Sequence, residues 1–388
     1  MNRGVGGRAR DGRKRILFLT GTRADYGKLK PLIQAVEAAE DFHAIVFITG
    51  MHTLERYGFT ADEVLRGGYE HVHVYANQIV GEPMDLVLAN TVHGLGRYVH
   101  DSPPDLIVVH GDRIEALAGA IVGSLRNIPV AHIEGGEVSG TIDELIRHAV
   151  SKLAHTHFVA AESHARRLVQ MGEVASSIFV IGSPDIDVML SESLPGMEAV
   201  RERYEIDFAT YGIVTFHPVT TEVHDTPRQA RNLVDAMLES GQNYVVIFPN
   251  NDEGSAAILA ELERLEGNPR MRMLPSLRFE YFLTLLKNAC FMLGNSSAAI
   301  REAPVYGVPS VDVGTRQRNR FVYPSILNVG YEKDEVLAGI RQAVEMGPQE
   351  PSHYFGTGNS ANLFMEVLRT ETFWQNSAQK AFVDLPGH

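Results

Sequence analysis

Short apolar runs alternate along this chain with stretches whose apolar residues recur at helical spacing, and few folds admit that alternation. The runs stand at 15–20, 43–50, 72–74, 105–109, 128–131, 157–160 and 178–182, with helical patterns at about 28–37, 54–65, 82–100, 113–126, 145–150 and 163–171 between them. Apolar strands separated by helices are buried on both faces, which predicts a parallel sheet covered by helices on either side. The pattern loosens over 191–211. A second series then begins, with strands at 213–216, 244–248, 271–274, 291–293 and 310–313 and helices near 334–345 and 359–369. The expected fold class is α/β, with two Rossmann-like domains at 15–190 and 205–350 facing across a cleft where a ligand binds. A helix within 351–375 closes the fold, residues 376–388 form a tail, and 1–14 form a disordered leader.

The chain has 388 residues, enough for two cores, and a net charge of −13, which argues against a nucleic-acid partner. Its basic leader, from Arg3 to Arg15, has no apolar stretch and so is not a secretory signal. No apolar run is long enough to span a membrane, and the expected location is the cytoplasm. The single cysteine, Cys290, excludes an internal disulfide and lies in an apolar run, where a core position is expected.

One stretch concentrates chemistry. Residues 132–144 hold His132, Glu134, Glu137, Asp143 and Glu144 with Gly135, Gly136 and Gly140, directly after an apolar strand. In open α/β sheets ligands bind beyond the carboxyl ends of strands. Asp112 ends the preceding strand, so Asp112, Glu134 and Asp143 are the candidate catalytic acids. Carboxylates held close raise one another's proton affinity, which suits acid–base work. Asp143 could equally be a helix cap. Arg23, in the glycine-bounded turn after the first strand, suits a phosphate or pyrophosphate. Ser296 and Ser297 after Gly294 suit an anion at a helix start, Glu302 the hydroxyls of a ribose, and Arg316, Arg318 and Arg320 a diphosphate. Asp185 and Asp187 have the spacing of a metal-binding pair, but that spacing is common and no metal is expected.

Taken together, these residues resemble the hydrolysing UDP-N-acetylglucosamine 2-epimerases of sialic acid biosynthesis. The resemblance spans 15–368. It is carried by Thr22-Arg23-Ala24-Asp25-Tyr26, His110-Gly111-Asp112-Arg113, the run from His132 to Asp143, Ile146-Arg147-His148-Ala149 and His217-Pro218-Val219. Asn250, Gly294-Asn295-Ser296-Ser297, Arg301-Glu302 and Gly314-Thr315-Arg316-Gln317 extend it. Gly135-Gly136-Glu137 after His132-Ile133-Glu134 resembles the hydrolysing branch. The resemblance implies a glycosyltransferase-B type fold and no cofactor. It implies nucleotide contacts through His217, Asn250, Ser296, Ser297 and Glu302, with Arg23 and Arg316 on the diphosphate. It places the sugar against Asp112, Glu134 and Asp143, with His52, Arg113, His132 and His148 nearby, in a homodimer or homotetramer. The implied reaction is elimination of UDP to a 2-acetamidoglucal, then hydration to N-acetylmannosamine. Relatives of this branch act on a 2,4-diacetamido-6-deoxy sugar nucleotide. A glycosyltransferase and a non-catalytic nucleotide-sugar sensor are the rival classes.

Overall fold

The computed structural model describes residues 12–138, 142–250, 252–318, 320–375 and 379–384. The first domain is built on a seven-stranded sheet of β1 (Lys14–Thr20), β2 (Phe42–Ile48), β3 (His71–Val74), β4 (Leu106–His110), β5 (Val130–Ile133), β6 (Thr156–Val159) and β7 (Ile178–Val180), in the order β3-β2-β1-β4-β5-β6-β7. The second is built on six strands, β8 (Gly212–Thr215), β9 (Tyr244–Ile247), β10 (Met271–Leu274), β11 (Phe291–Gly294), β12 (Ser310–Val313) and β13 (Ile326–Val329), in the order β10-β9-β8-β11-β12-β13. Every strand pair is parallel. Chain direction across each sheet reverses between β1 and β4 and between β8 and β11. Those switch points open crevices at the carboxyl ends of the strands.

The strands are buried on both faces, as their composition requires. In the first domain Ile16, Phe18, Val46 and Val108 pack one side, and Leu17, Leu19, Phe47 and Val109 the other. The Ser360–Leu368 helix returns to this domain and buries Phe364 against Phe18 and Phe158. Among the described residues no helix is long and apolar enough to cross a membrane.

Several local expectations are corrected. The first long helix begins at Arg23 rather than near residue 28, because Thr22 and Asp25 form a reciprocal capping box. The expected helix at 54–65 breaks into short 3₁₀ turns and an Ala61–Leu65 helix, since Gly58 and Phe59 take left-handed backbone angles of 83° and 44°. His132 and Ile133 belong to β5 rather than to the loop after it. The stretch expected to be loose holds the Met197–Tyr204 helix. Strand β13 adds to the expected strands; it is a partly exposed sheet edge interrupted by Asn328, with no apolar alternation to mark it. Cys290 is exposed, one residue before β11, and not in the core. Lys14 of the expected leader is in β1. The rest of that leader up to residue 11, with 376–378 and 385–388 of the tail, lies outside the described residues. Lys380 of the tail donates to the carbonyls of Ser151 and Ala154 (2.9 and 2.6 Å) and pairs with Glu173.

Candidate active site

The two switch points face one another, and the cleft between them holds a cavity of about 310 Å³. Its first-domain wall comes from the ends of β1, β4 and β5: Arg23, His110, Asp112, Arg113 and Glu134, with Asp143 and Arg147 from the Ile142–Leu153 helix. Its second-domain wall includes Asn250, Asp252, Ser276, Ser297, Arg301, Arg316 and Arg320. Seven basic side chains (Arg23, Lys28, Arg113, Arg147, Arg301, Arg316, Arg320) thus line it against five carboxylates (Asp25, Asp112, Glu134, Asp143, Asp252). That excess inside a protein of negative net charge focuses positive potential on one cleft and suits an anionic ligand.

The three candidate acids meet in the cavity under different conditions. Glu134 follows β5 with a left-handed φ of 62° and is buried. His110 Nε2 lies 3.2 Å from its Oε2, and Arg301 Nη2 lies 2.5 Å from its Oε1, which also accepts from Ser183. Burial pulls this carboxyl upward, but Arg301, Lys28 and His110 outweigh it and hold it well below the usual carboxylate range. Asp143 differs. Burial, and then the neighbouring Asp112 charge, push its carboxyl upward against the pull of Arg316, whose Nη2 is 3.4 Å away. Asp112 is paired with Arg147, one turn beyond Asp143 on the same helix. One acid is therefore kept charged, while another is tuned toward proton exchange.

A model of the UDP-N-acetylglucosamine 2-epimerase family matches residues 34–369. A UDP-N-acetylglucosamine 2-epimerase of Neisseria meningitidis serogroup B is 51% identical over 375 residues, covering 96% of this chain and 99% of the relative. The chain belongs to the UDP-N-acetylglucosamine 2-epimerase family. A UDP-N,N'-diacetylbacillosamine 2-epimerase (hydrolyzing) of Legionella pneumophila is 32% identical, covering 92% of this chain and 96% of that protein. The crystal structure of a UDP-GlcNAc 2-epimerase from Neisseria meningitidis bound to UDP-GlcNAc covers 91% of this chain and 99% of its own with a TM-score of 0.77. At 20% identity that likeness shows the fold, two facing α/β domains of the glycosyltransferase-B kind.

Within this epimerase-family cavity the structure gathers Arg23, Asp112, Arg113, Glu134, Asp143, Asn250, Ser297 and Arg316. It does not bring His52, His132, His148, His217, Ser296 or Glu302 to the wall. His52 is buried with its ring nitrogens 3.0 and 2.7 Å from the hydroxyls of Thr20 and Thr60, and burial lowers it to about 4. His132 donates from Nε2 to the Gly111 carbonyl at 2.8 Å, its other nitrogen 3.0 Å from Ser151, and burial lowers it to about 3. Its work is to tie β5 to the turn that carries Asp112. His148 faces Glu144, 3.3 Å away on its own helix. His217 accepts the Asn250 N–H at 3.2 Å and so positions a cavity residue from behind. The Ser296 hydroxyl caps a short turn, accepting from Ala298 N–H at 3.3 Å, which leaves Ser297 on the wall. Glu302 is buried, with Lys28 Nζ 3.0 Å from its carboxylate. Arg318 is exposed and off the wall. Asp185 and Asp187 do not converge. The first lies 3.2 Å from Lys28, and the second accepts the Ser360 and Ala361 N–H groups at 2.9 and 2.8 Å.

Lys28, His110, Arg147, Arg301 and Asp252 also line the cavity, beyond the residues expected there. Arg147 had a signal: four residues after Asp143, it shares that residue's helix face. Arg301 was marked only by the Arg301-Glu302 resemblance; its contact could not be read locally, since its acidic partner Glu137 is 164 residues away in sequence.

Proposed function

We propose that this protein is a hydrolysing UDP-N-acetylglucosamine 2-epimerase, converting UDP-N-acetylglucosamine to UDP and free N-acetylmannosamine through a 2-acetamidoglucal. The observation that carries this reading is the meeting of Asp112, Glu134 and Asp143 in one cationic interdomain cavity. Family membership and the 51%-identical relative support the substrate.

The residues suit two half-reactions. In the first, a carboxylate removes the C2 proton, the C2 electron pair forms the C1=C2 bond, and the C1–O bond breaks with its electrons leaving on UDP. Asp143, whose carboxyl is raised by burial and by Asp112, is a better base than Glu134. Glu134 stays ionised and opposes the positive charge that develops at C1 as the diphosphate departs. In the second half-reaction a proton is delivered to C2 from the opposite face and water oxygen bonds to C1, which gives the free sugar. Arg23, Arg316 and Arg320 suit the diphosphate. Burial and the nearby Arg147 charge depress Arg320 to about 10, a strain that a bound anion relieves.

The 32%-identical Legionella relative favours a second substrate of the same chemistry, a 2,4-diacetamido-6-deoxy sugar nucleotide. The test is incubation of the pure protein with each nucleotide sugar alone in heavy water, followed by phosphorus and proton NMR. Expected products are UDP and free N-acetylmannosamine with one deuterium at C2. A sugar still attached to UDP would place the protein in the non-hydrolysing branch. Donor consumed only when an acceptor is added would make it a glycosyltransferase.

A further inference from the structure

Arg301 reaches the acid cluster from the opposite domain. It stands at the N-cap of the Glu302–Val305 helix, behind β11, yet its guanidinium is buried against the loop that follows β5. Nη2 lies 2.5 Å from Glu134 Oε1 and donates to Ser183 Oγ at 2.7 Å, while Nη1 donates to Glu137. Its flat face rests on Phe355, 4.7 Å from the ring centre. One guanidinium from the second domain therefore holds both buried carboxylates of a first-domain loop.

Burying such an ion pair costs several kcal/mol of lost hydration per ion, and an apolar contact would join two domains as well or better. What an arginine fork adds is direction, since its donors are rigid and planar. Direction matters at Glu134. Its other oxygen faces His110, Arg147 Nη1 donates to its main-chain carbonyl at 2.6 Å, and its backbone is in the left-handed region. The remaining charges facing it are Lys28 from the Arg23–Glu37 helix and Glu137 from its own loop. Asp185 and Glu302 answer Lys28 and Arg301 from behind.

We propose that Arg301 is a positioning residue that holds the Glu134 carboxylate in its working orientation from the opposite domain, so that the charge-stabilising acid is assembled only where the two domains meet. The proposal rests on the hydrolysing-epimerase reading above.

The experiment measures UDP release across pH 5–9 for the parent protein, Arg301→Met, Arg301→Lys and Ser183→Ala, with UDP binding and thermal melts for each. Arg301→Met is expected to lose about 10²-fold in kcat with KM within a few-fold of the parent, as for loss of a transition-state interaction. With the Arg301 charge gone, burial and the neighbouring Glu137 push the Glu134 carboxyl upward, so the acid limb of its pH profile should move to higher pH. Arg301→Lys restores the charge, hence the limb, but not the fork, hence not the full rate. Ser183→Ala removes a neutral donor and should move the limb less than Arg301→Met does. Arg301→Met with parental kcat and pH profile, or with its loss confined to KM, overturns the proposal. Should the methionine variant melt below the assay temperature, a lysine variant with parental kcat overturns it instead. A parent protein that releases no UDP at any pH overturns the functional reading, and the role of Arg301 with it. An active parent beside an unaffected variant overturns the Arg301 role alone.

Discussion

At the scale of single residues, the candidate site gives like side chains unlike surroundings. Asp112, Glu134 and Asp143 are all carboxylates at the ends of neighbouring strands or loops, and the surroundings of Glu134 and Asp143 push their proton affinities apart. That divergence is what acid–base assignment rests on. Replacing any one with its amide keeps shape but removes charge, and a loss of about 10²-fold or more in kcat is expected with UDP binding retained. The pH profiles should also separate the roles. Asp112 is the largest charged influence raising Asp143, so Asp112→Asn should let the remaining base ionise more easily and move the acid limb of its residual activity to lower pH. That is the opposite direction to Arg301→Met. Parental turnover in all three amide variants would make the cluster structural. The acids were legible in the sequence because glycines and carboxylates crowd a strand end there. The places of the histidines were less legible, because nothing in the sequence shows that His52, His132 and His217 face Thr20, Thr60, Gly111, Ser151 and Asn250 inside the protein.

At the scale of elements, the two glycines Gly27 and Gly96 make a controlled comparison. Both lie inside helices, where alanine is worth up to about 1 kcal/mol over glycine. Among the described residues a Cβ at Gly96 meets nothing within 4 Å. At Gly27 it would come within 2.6 Å of the Phe279 ring and its Cβ, on the Phe279–Lys287 helix of the second domain. Phe279 is buried and cannot swing clear, so overpacking of about 1–3 kcal/mol outweighs the helix gain. Gly96→Ala is expected to raise the melting temperature and Gly27→Ala to lower it and raise KM, since its clash lies between the domains. Melts in which the two variants shift together would show that the domains do not pack through this contact. The same scale explains what could be read in advance. Strand and helix alternation marks the sheets because apolar runs such as Ile16–Leu19 are buried whatever their partners. Strand β13, and the fork from Arg301 to Glu134 and Glu137, depend on partners distant in sequence and leave no local pattern.

At the scale of the whole molecule, buried titratable groups scattered through both domains set how stability depends on pH. Burial lowers His52 to about 4 and His132 and His217 to about 3, from an ordinary value of 6.5. Below about pH 6.5 the unfolded chain takes up three protons that the folded chain refuses, so these groups withdraw stability as pH falls. Asp312, in β12, works the other way. Burial lifts its carboxyl to about 7 against the pull of Arg320 and Arg316, and among the described residues its Oδ1 has no hydrogen-bond partner. Between about pH 6.5 and 4 the folded chain keeps a proton there that the unfolded chain has lost, which offsets one of the three. Each uncompensated proton withdraws about 1.4 kcal/mol of stability per pH unit, so these histidines make stability fall as pH drops through that window. Glu137 and Glu173, both held near 2 despite burial, by Arg301 and by His157 and Lys152 respectively, steepen the fall below about pH 4.5. Thermal melts should therefore show a sharp decline below about pH 6. Asp312→Asn isolates the opposing group. Any fixed cost of burying an amide is the same at both ends of the range and cancels. The variant should gain on the parent as pH rises from 5 to 8, because the parent must then ionise a buried carboxyl and the variant has none. Equal offsets from the parent at pH 5 and pH 8, or a melting temperature flat from pH 6.5 to 4.5, would contradict this account.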